Sequence, residues 1–386
     1  RILIIVFLCN ALIGLVSARA NENEVIVIET PGRGIQPQAA VDAKGNLHLL
    51  YFQGEAKGGN LLYVRRDVGQ TTFSQPLRVN SQEGSAIAIG TIRGGHLALG
   101  KNGRVHVAWN GSMQALPKNP ITGTPMLYAR LNDSGTDFEP QRNLMTKSAI
   151  LDGGGSLAAD REGNVYVAWH ALGQDLVKGE DNRRVWVSVS GDNGKTFAAE
   201  KPAWKENTGA CGCCGMRGFA DREGNAYIVY RAASEKINRG MYLLRSPDRG
   251  QSFAGVRLDN WEIATCPMSS EAFAEGPNGI YTAWDNDEQI FFTRIQGGKI
   301  AVEKPKAVPG QDRNQKHPAL AVNKMGDVIV VWTEGTGWNR GGALAWQVYD
   351  KAGKPTPLAG LRPGAIPVWG LPAVVAEADG RFTIFH

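Results

Sequence analysis

The chain has few cysteines, no run of like charges and almost no helical periodicity. Its 386 residues include five cysteines, and basic and acidic residues alternate along it to a net charge of +5. Such a weak and dispersed positive excess argues against a surface that binds nucleic acid. No glycine-rich loop precedes a helical pattern, which argues against a nucleotide-phosphate site, and no cofactor is predicted. With 42% hydrophobic and 20% charged residues, the chain is predicted to be globular.

Long apolar runs are also scarce, and the single one lies at the start. An arginine, an apolar stretch and then Ala18-Arg19-Ala20 follow the order of a secretory signal with its small-x-small cleavage site. We therefore expect a signal peptide over residues 1–20, one domain over residues 21–386, and a secreted or periplasmic protein. A retained membrane anchor is the alternative, but Asn10 and Ser17 interrupt the apolar run. After cleavage we expect a monomer without membrane contact.

Glycine is abundant, with 48 residues, and one pattern repeats around it. Apolar residues are followed by a short polar turn with glycine, and then by alternating residues that end in an aromatic. The seven copies are "AAVDAKGNLHLLYF", "LALGKNGRVHVAWN", "LAADREGNVYVAWH", "GFADREGNAYIVYR", "AFAEGPNGIYTAWD", "LAVNKMGDVIVVWT" and "AVVAEADGRFTIFH". Their glycines, 47 to 61 residues apart, are Gly45, Gly103, Gly163, Gly224, Gly279, Gly326 and Gly380. Alternation after a turn that tolerates positive φ predicts a β-hairpin in each copy.

Two further strand-like runs lie between successive copies, as in "RRVWVSVS" (183–190) and "FAAEKPAW" (197–204). Repeats of four strands are typical of a β-propeller. We predict an all-β, single-domain β-propeller with four-stranded blades, and seven blades rather than six because seven hairpins are present. The run at 24–31 precedes the first hairpin as a fourth strand precedes each later one, so we expect this N-terminal strand to close the last blade.

Two eight-residue segments share a spacing of serine, aspartate, glycine and phenylalanine. They are "SGDNGKTF" (190–197) and "SPDRGQSF" (246–253), and weaker copies surround Asp133 and Asp67. These segments resemble the Asp-box turns of sialidases and other BNR-repeat propellers. In such a turn the Asp and Ser side chains accept hydrogen bonds from backbone N–H groups, glycine takes the left-handed conformation and the aromatic packs between sheets. We therefore interpret these residues as structural, not catalytic.

The topology of a propeller sorts the polar residues by face. The hairpin turns and the Asp-box-like turns lie at one end of the strands, so the loops at the opposite end surround the mouth of the central channel, a concave place where ligands bind. Four carboxylates fall on this rim as catalytic candidates: Asp152, Glu271, Asp285 and Glu334. Seven basic residues fall on it as ligand-binding candidates: Arg93, His96, His170, Arg217, Arg231, His317 and Arg340.

The resemblance to sialidases implies specific roles for several of these residues. A clamp of three arginines would hold a substrate carboxylate, with Arg93, Arg217 and Arg231 as candidates. Asp152 or Asp285 would be the general acid, and Glu271 or Glu334 would partner a tyrosine nucleophile. The chain departs from the family in two respects: "GIQPQ" has Gln36 where the first clamp arginine is expected, and no tyrosine falls on the rim.

These departures leave two readings open. In the first, the propeller binds and hydrolyses a glycan or other ligand, as an exo-sialidase-like glycoside hydrolase. In the second, it is a non-catalytic binding or scaffold propeller, because fold does not imply function. Trp338 and Trp369 on the rim are candidates for stacking on a sugar ring.

Four cysteines remain after signal cleavage. Cys211, Cys213 and Cys214 precede the fourth hairpin, and Cys266 occupies the same place before the fifth. In an exported protein these residues predict disulfides that brace the rim, with Cys211–Cys214 and Cys213–Cys266 as the preferred pairing and one bridge plus two thiols as the alternative. A second reading is a soft-metal site, in which thiols, Met268 and the rim histidines bind copper or zinc. Because "CGCC" matches no usual zinc spacing, disulfides are the favoured prediction.

Overall fold

In the computed structural model the chain is a β-propeller of seven sheets, described over residues 24–90, 94–235, 237–296, 300–310 and 314–386. The predicted signal peptide and Arg93 lie outside the described residues. No helix in the described part is long and apolar enough to cross a membrane. The predicted all-β class and seven blades are thus confirmed.

The described strands follow one another along the chain with short connections. They are β1 (Val25–Ile28), β2 (Ile35–Val41), β3 (Leu47–Glu55), β4 (Gly58–Arg66), β5 (Leu77–Arg78), β6 (Gly95–Leu99), β7 (Val105–Asn110), β8 (Met126–Arg130), β9 (Arg142–Asn143), β10 (Ser148–Ala149), β11 (Gly155–Ala159), β12 (Val165–Gly173), β13 (Arg184–Ser190), β14 (Lys201–Pro202), β15 (Met216–Ala220), β16 (Ala226–Arg231), β17 (Met241–Ser246), β18 (Ala254–Arg257), β19 (Glu271–Gly276), β20 (Gly279–Asn286), β21 (Gln289–Ile295), β22 (Lys306–Ala307), β23 (Gln315–Val322), β24 (Val328–Glu334), β25 (Gly342–Tyr349), β26 (Pro355–Ile366), β27 (Ala373–Ala376) and β28 (Phe382–Phe385). In the described part of the chain, three short 3-10 helices lie at Pro31–Arg33, Lys101–Gly103 and Glu180–Asn182.

The strands pair antiparallel in every blade except at β1, and the first strand of each hairpin faces the channel. The blades are β2–β5, β6–β9, β10–β14, β15–β18, β19–β22, β23–β26 and β27–β28 with β1. The first hairpin strands β2, β6, β11, β15, β19, β23 and β27 contact one another in a closed ring. β1 pairs with β28, with Val25 opposite Phe382, so the N-terminal strand closes the last blade as predicted. It does so in parallel orientation.

The repeat glycines and aromatics explain why the seven hairpins form. All seven glycines have φ between 73° and 119°, a region that side chains with a Cβ rarely adopt. The aromatic residues at the ends of the second strands are buried between neighbouring blades, and Trp109, Trp169 and Trp284 are at most 1% exposed. The indole N–H of Trp169 also donates to Ser148 Oγ at 3.0 Å. The repeat is thus a turn signal and an inter-blade packing signal in one.

The two Ser-Asp-Gly turns have the same hydrogen bonds. In the first, Ser190 Oγ accepts the N–H of Gly194 at 2.9 Å and donates to Asp192 Oδ1 at 2.7 Å. Asp192 also accepts the N–H of Thr196 at 2.8 Å. Gly250 N–H donates to Ser246 Oγ in the second turn at 2.8 Å. These side chains are engaged in closing the turns, which fits a structural role.

Replacing Asp192 by alanine is expected to lower the free energy of unfolding by about 1 kcal/mol, the usual value of a side-chain cap. Burial raises the pKa of Asp192, but the hydrogen bonds from Thr196 and Ser190 outweigh it and lower the pKa to about 2. The contribution is therefore present at neutral pH and fades as the pH falls through about 2. Urea unfolding of the wild type and the variant at pH 7 and at pH 2 measures it.

Asp67 provides the matched control, because it lies in the corresponding turn of the first blade. Its carboxylate pairs with Arg65 Nε at 2.7 Å, and both side chains are about half exposed. Asp67→Ala is therefore expected to change the free energy of unfolding by less than about 0.5 kcal/mol. Equal losses in the two variants would contradict the capping argument.

Candidate functional site

A cavity of about 120 Å³ occupies one mouth of the central channel, at the starts of the first strands. Its described polar lining consists of Gln36, Gln38, His96, Arg217, Ser270, Glu271 and His317. The opposite mouth is lined by turn residues such as Asp160 and Asp221. Four predicted site residues, His96, Arg217, Glu271 and His317, are thus brought together on the predicted face.

Arg217, on β15, places a guanidinium group on this cavity. Its Nη1 donates to Gln38 Oε1 and lies 3.5 Å from His96 Nδ1. Within the described residues its Nε and Nη2 make no hydrogen bond. Burial lowers the pKa of Arg217 to about 10, with Glu271 acting in the opposite direction, so the group stays charged at neutral pH. Two free donors on a charged planar group can bind a carboxylate in bidentate fashion.

Glu271 opens β19 and is the one carboxyl group among the described residues that line the cavity. Neither of its oxygens has a hydrogen-bond partner, although the residue is only 6% exposed. Burial raises its pKa well above the ordinary value, and the charges of Cys214 and Asp285 add to the effect, while Arg231 and Arg217 oppose it. A carboxyl in this setting favours its neutral form.

The two cavity histidines are neutral at physiological pH. Burial lowers the pKa of His96 to about 3, with Arg217 as the second cause, and burial together with Lys316 lowers that of His317 to about 3. His317 Nδ1 lies 3.1 Å from Ser270 Oγ. Because burial favours the neutral form of Glu271 and of both histidines, Arg217 is the group of the described lining whose charged form is favoured, and the cavity is suited to a monoanion.

Two glutamines on β2 contribute to the site, and sequence reasoning named Gln36 but not Gln38. Gln36 donates from Nε2 to Gly90 O at 2.7 Å and to Trp369 O at 3.1 Å, so its amide links two loops. This is the position at which the resemblance to sialidases predicts an arginine. The strand pairing shifts between Ile35 and Gln38, and this bulge turns Gln38 toward Arg217. Pro37, a proline early in a strand, was the signal for the bulge.

Six of the described predicted site residues do not line the cavity, and four of these lie at or near the end of the second strand of a blade. His170, Arg231 and Asp285 are at most 1% exposed and Glu334 is 8% exposed. The prediction placed them at the open rim, whereas neighbouring blades cover the second strands, which lie one strand away from the channel. The structure therefore does not support direct ligand contact for these residues.

Arg231 and Asp285 form a buried polar centre between the fourth and fifth blades. Arg231 donates from Nε to Ser269 Oγ and from Nη1 to Arg239 O, both at 2.7 Å, and from Nη2 to Asp285 O. Its guanidinium carbon lies 4.7 Å from the ring centroid of Trp261. Neither carboxylate oxygen of Asp285 has a hydrogen-bond partner, and burial raises its pKa to about 7 against the opposing charge of Arg231. These groups hold blades together.

Four of these six residues make contacts away from the cavity. Asp152 pairs with Arg183 at 2.8 Å outside the cavity lining, and Arg340 is exposed on the loop after β24. Glu334 accepts the indole N–H of Trp332 at 3.0 Å. His170 Nε2 lies 3.1 Å from Cys214 O, and burial lowers its pKa. None of these four residues belongs to the described lining of the cavity.

The four cysteines are free thiols, so the predicted disulfides are not formed in the structure. The sulfur atoms of Cys211, Cys213 and Cys214 lie within 4.8 Å of one another. Cys266 is exposed and does not belong to this group. The preferred bridge from Cys213 to Cys266 is therefore not formed in the structure, because Cys213 lies with the other two clustered thiols and Cys266 lies outside their group.

The two rim tryptophans lie beside the cavity. Trp338 and Trp369 pack edge to face with ring centroids 6.3 Å apart, and Trp338 is 48% exposed. They line a small depression together with His317, which also lines the main cavity. An aromatic surface is thus continuous with the charged cavity.

Comparison with known proteins gives a likeness of fold. No protein-family model matches the chain, and no curated protein matches it. Among solved structures, an α-L-arabinanase of Penicillium chrysogenum complexed with arabinobiose has a TM-score of 0.53 at 16% identity, over 84% of this chain and 95% of that one. A leech intramolecular trans-sialidase complexed with 2,7-anhydro-Neu5Ac has a TM-score of 0.51 at 8% identity, over 91% and 86% of the two chains.

A Hadza microbial sialidase, Hz136, has a TM-score of 0.50 at 12% identity, and the match covers 86% of this chain and 74% of that one. Identities this low establish a shared architecture and carry no site residue from one chain to another. In its fold, the protein is a sialidase-like β-propeller with seven blades.

Proposed function

We propose that this propeller is an exported protein that binds a carboxylate-bearing sugar at the channel mouth and does not hydrolyse it. The observation that carries the proposal is that Arg217 has two free donors and that the titratable groups around it favour their neutral forms. His96 and His317 are neutral because burial and nearby cations lower their pKa values to about 3. Within the described lining, a monoanion entering the cavity therefore meets the uncompensated cation of Arg217, with which a carboxylate can form two charge-assisted hydrogen bonds.

The tryptophan pair supports a sugar as the carrier of this carboxylate. A cavity of about 120 Å³ takes a carboxylate and its nearest atoms, so the rest of a sugar would extend over the rim. Trp338 lies in that direction, because His317 lines both the cavity and the tryptophan depression. Sugar rings present C–H faces that pack on aromatic side chains, as an exposed Trp permits. The carbohydrate-active enzymes among the structural neighbours agree with this ligand class.

Binding is favoured over hydrolysis by the number of carboxyl groups. Glycoside hydrolysis usually requires two carboxyl groups on either side of the scissile bond. The described cavity lining holds one, Glu271, while Asp285 is fully buried behind it. No tyrosine belongs to the described lining. The site therefore has an anchor for an anion but not the paired groups of a hydrolase.

Replacing Arg217 by alanine is expected to weaken binding of the α-methyl glycoside of N-acetylneuraminic acid by about 10- to 100-fold, the value of one or two charge-assisted hydrogen bonds. Titration calorimetry, or saturation-transfer NMR for weak binding, measures the change. The methyl ester of the same glycoside should bind the wild type as weakly as the acid binds Arg217→Ala. A fluorogenic sialoside should show no turnover.

Arg222 offers a matched control, because it lies at the opposite mouth and is about half exposed. Arg222→Ala should bind the glycoside as the wild type does. Equal binding of acid and ester, or unchanged affinity in Arg217→Ala, would refute the carboxylate anchor. Turnover of the sialoside by the wild type but not by Arg217→Ala would replace the binding proposal with a hydrolase.

A further inference from the structure

The thiols of Cys211, Cys213 and Cys214 converge in a loop that the proposed sugar site does not use. The Sγ atom of Cys211 lies 3.1 Å from that of Cys214 and 3.5 Å from that of Cys213. Sulfur atoms bound to one ion at about 2.3 Å in tetrahedral geometry lie about 3.8 Å apart. The observed spacing therefore requires movements of less than about 1 Å to accommodate an ion. We propose that this cluster is a binding site for copper(I).

The loop is fixed by hydrogen bonds from outside the cluster. Cys211 N–H donates to Arg231 O at 3.0 Å, and Gly212 N–H donates to Glu180 Oε1 at 2.6 Å. Gly215 N–H donates to Ser269 O at 2.8 Å, which ties the end of the loop to the next blade. A ligand set held by a rigid scaffold loses little entropy when the ion binds.

Two of the sulfur atoms already accept hydrogen bonds from polar groups behind them. Arg239 Nη1 donates to Cys211 Sγ at 2.9 Å, and its Nη2 donates to Glu180 Oε2 at 2.7 Å. Ser269 Oγ donates to Cys214 Sγ at 3.2 Å and accepts from Arg231 Nε at 2.7 Å. Such outer groups orient metal ligands and stabilise the thiolate charge. Arg239 and Arg231 are positioning residues in this site, not ligands.

The composition of the cluster selects the ion. Within the described residues the group of mutually close ligand atoms consists of these three thiols, without a histidine, a carboxylate or Cys266. Structural zinc sites use four ligands, so a set of three thiols is incomplete for zinc, and thiolates are also the ligands that select copper(I). Cys211 and Cys214 are fully buried and Cys213 is partly exposed, so Cys213 gives the ion a path from solvent. Binding releases the thiol protons to solvent as the thiolates form.

The test is transfer of copper to the reduced protein under anaerobic conditions from the copper(I) complex of bathocuproine disulfonate, whose colour fades as it loses the metal. We expect one copper per chain, with a thiolate-to-copper absorption band in the near ultraviolet. Cys213→Ser should weaken the affinity by more than about 100-fold, because a ligand matters at least as much as an outer-shell group. Cys266→Ser is the matched control and should retain one copper per chain.

A second variant separates positioning from folding. Arg239→Gln should weaken copper binding by about 10- to 100-fold and leave its stoichiometry at one. Near-ultraviolet circular dichroism and urea unfolding check that both variants fold. The proposal is overturned if the reduced wild type takes up no copper, if Cys213→Ser retains it as tightly as Cys266→Ser, or if zinc is bound in preference to copper(I). Arg217→Ala should keep the copper, so this site and the proposed sugar site succeed or fail separately.

Discussion

Replacing Arg231 by methionine is expected to lower the free energy of unfolding by about 3 to 5 kcal/mol, the usual loss when one partner of a buried ion pair is removed. The side chain is completely buried and its Nη2 lies 3.9 Å from Asp285 Oδ1. It also donates to Ser269 Oγ and to the carbonyl of Arg239, so the variant leaves these acceptors without a donor. Methionine fills much of the volume of the arginine side chain, so the loss of stability reflects the missing polar interactions. Urea unfolding measures the loss.

A double-mutant cycle with Asp285→Asn separates the ion pair from the other contacts of Arg231. With both charges removed, the double variant should be more stable than the sum of the single losses predicts, by about 1 to 3 kcal/mol. Arg222→Met is the control, since Arg222 is about half exposed and its pair with Glu275, at 3.5 Å, contributes at most about 1 kcal/mol. Strict additivity in the cycle would contradict the coupling between Arg231 and Asp285.

The pH dependence gives an independent reading of the same pair. Burial raises the pKa of Asp285 from 3.8 to about 7, so the native state holds this proton longer than the unfolded chain does. The contribution to stability is therefore greatest below about pH 4 and is lost as the pH rises toward about 7. Asp285→Asn should reduce this dependence of the free energy of unfolding on pH. Glu271 and Asp259 keep the remainder, because burial raises their pKa values too.

The architecture was predictable because each repeat carries two signals that agree. A glycine at the turn fixes where a hairpin reverses, and an aromatic at the end of the second strand supplies the wedge between blades. Gly163 and Trp169 show both in one copy: φ is 100° at the glycine and the indole is fully buried. The seven copies give the number of blades directly. The run that begins at residue 24 precedes the first hairpin, so it was predicted to be the strand that closes the last blade.

The position of a strand within its blade explains which site residues the sequence predicted correctly. Residues that begin a first strand, such as Arg217 and Glu271, line the channel because that strand is innermost. Residues near the end of a second strand, such as His170 and Arg231, are instead buried, because the neighbouring blade covers that strand. Sequence alternation indicates which side of a sheet a residue faces, but not how closely the neighbouring sheet packs against it.

The cysteine loop shows a second limit of the sequence. Adjacent blades placed Cys266 and Cys213 in corresponding positions, which suggested a bridge. Met268 has a φ of 53°, and Lys316 Nζ donates to the carbonyl of Pro267 at 2.7 Å, so local backbone geometry determines where this segment lies. Cys266 is exposed in this arrangement. Correspondence between blades predicts neighbouring loops, but the path within each loop depends on contacts that no periodicity encodes.

Replacing Glu200 by alanine is expected to lower the free energy of unfolding by about 3 to 5 kcal/mol, because several buried donors would lose their acceptor together. Glu200 is fully buried, and its carboxylate accepts the N–H groups of Thr146, Lys147 and Ser148 at 2.6 to 2.9 Å. It also accepts the hydroxyls of Thr146 and Ser148. Ser148 opens β10, so this carboxylate fixes the chain that leads toward the channel mouth.

The loss should depend on pH in the opposite sense to that of Asp285. Burial alone would raise the pKa of Glu200, but the hydrogen bonds from Lys147 and Thr146 outweigh it and lower the pKa. The contribution is therefore complete above the ordinary pKa of 4.5 and fades as the pH falls through the lower native value. Urea unfolding of wild type and variant at pH 7 and pH 3 should show the two curves converging in acid.

Two variants separate the effect of the Glu200 charge from the effect of side-chain volume and from that of any mutation in the same region. Glu200→Gln keeps the shape but turns an NH₂ group toward backbone donors, so it should lose most of the same stability. Glu206→Ala is the control, because this residue is exposed near the same edge strand and its pair with Lys205 spans 3.9 Å. Stability of Glu200→Gln equal to wild type would show that the charge of Glu200 is dispensable. Since three consecutive N–H groups converge on this carboxylate, we expect the charge to be required.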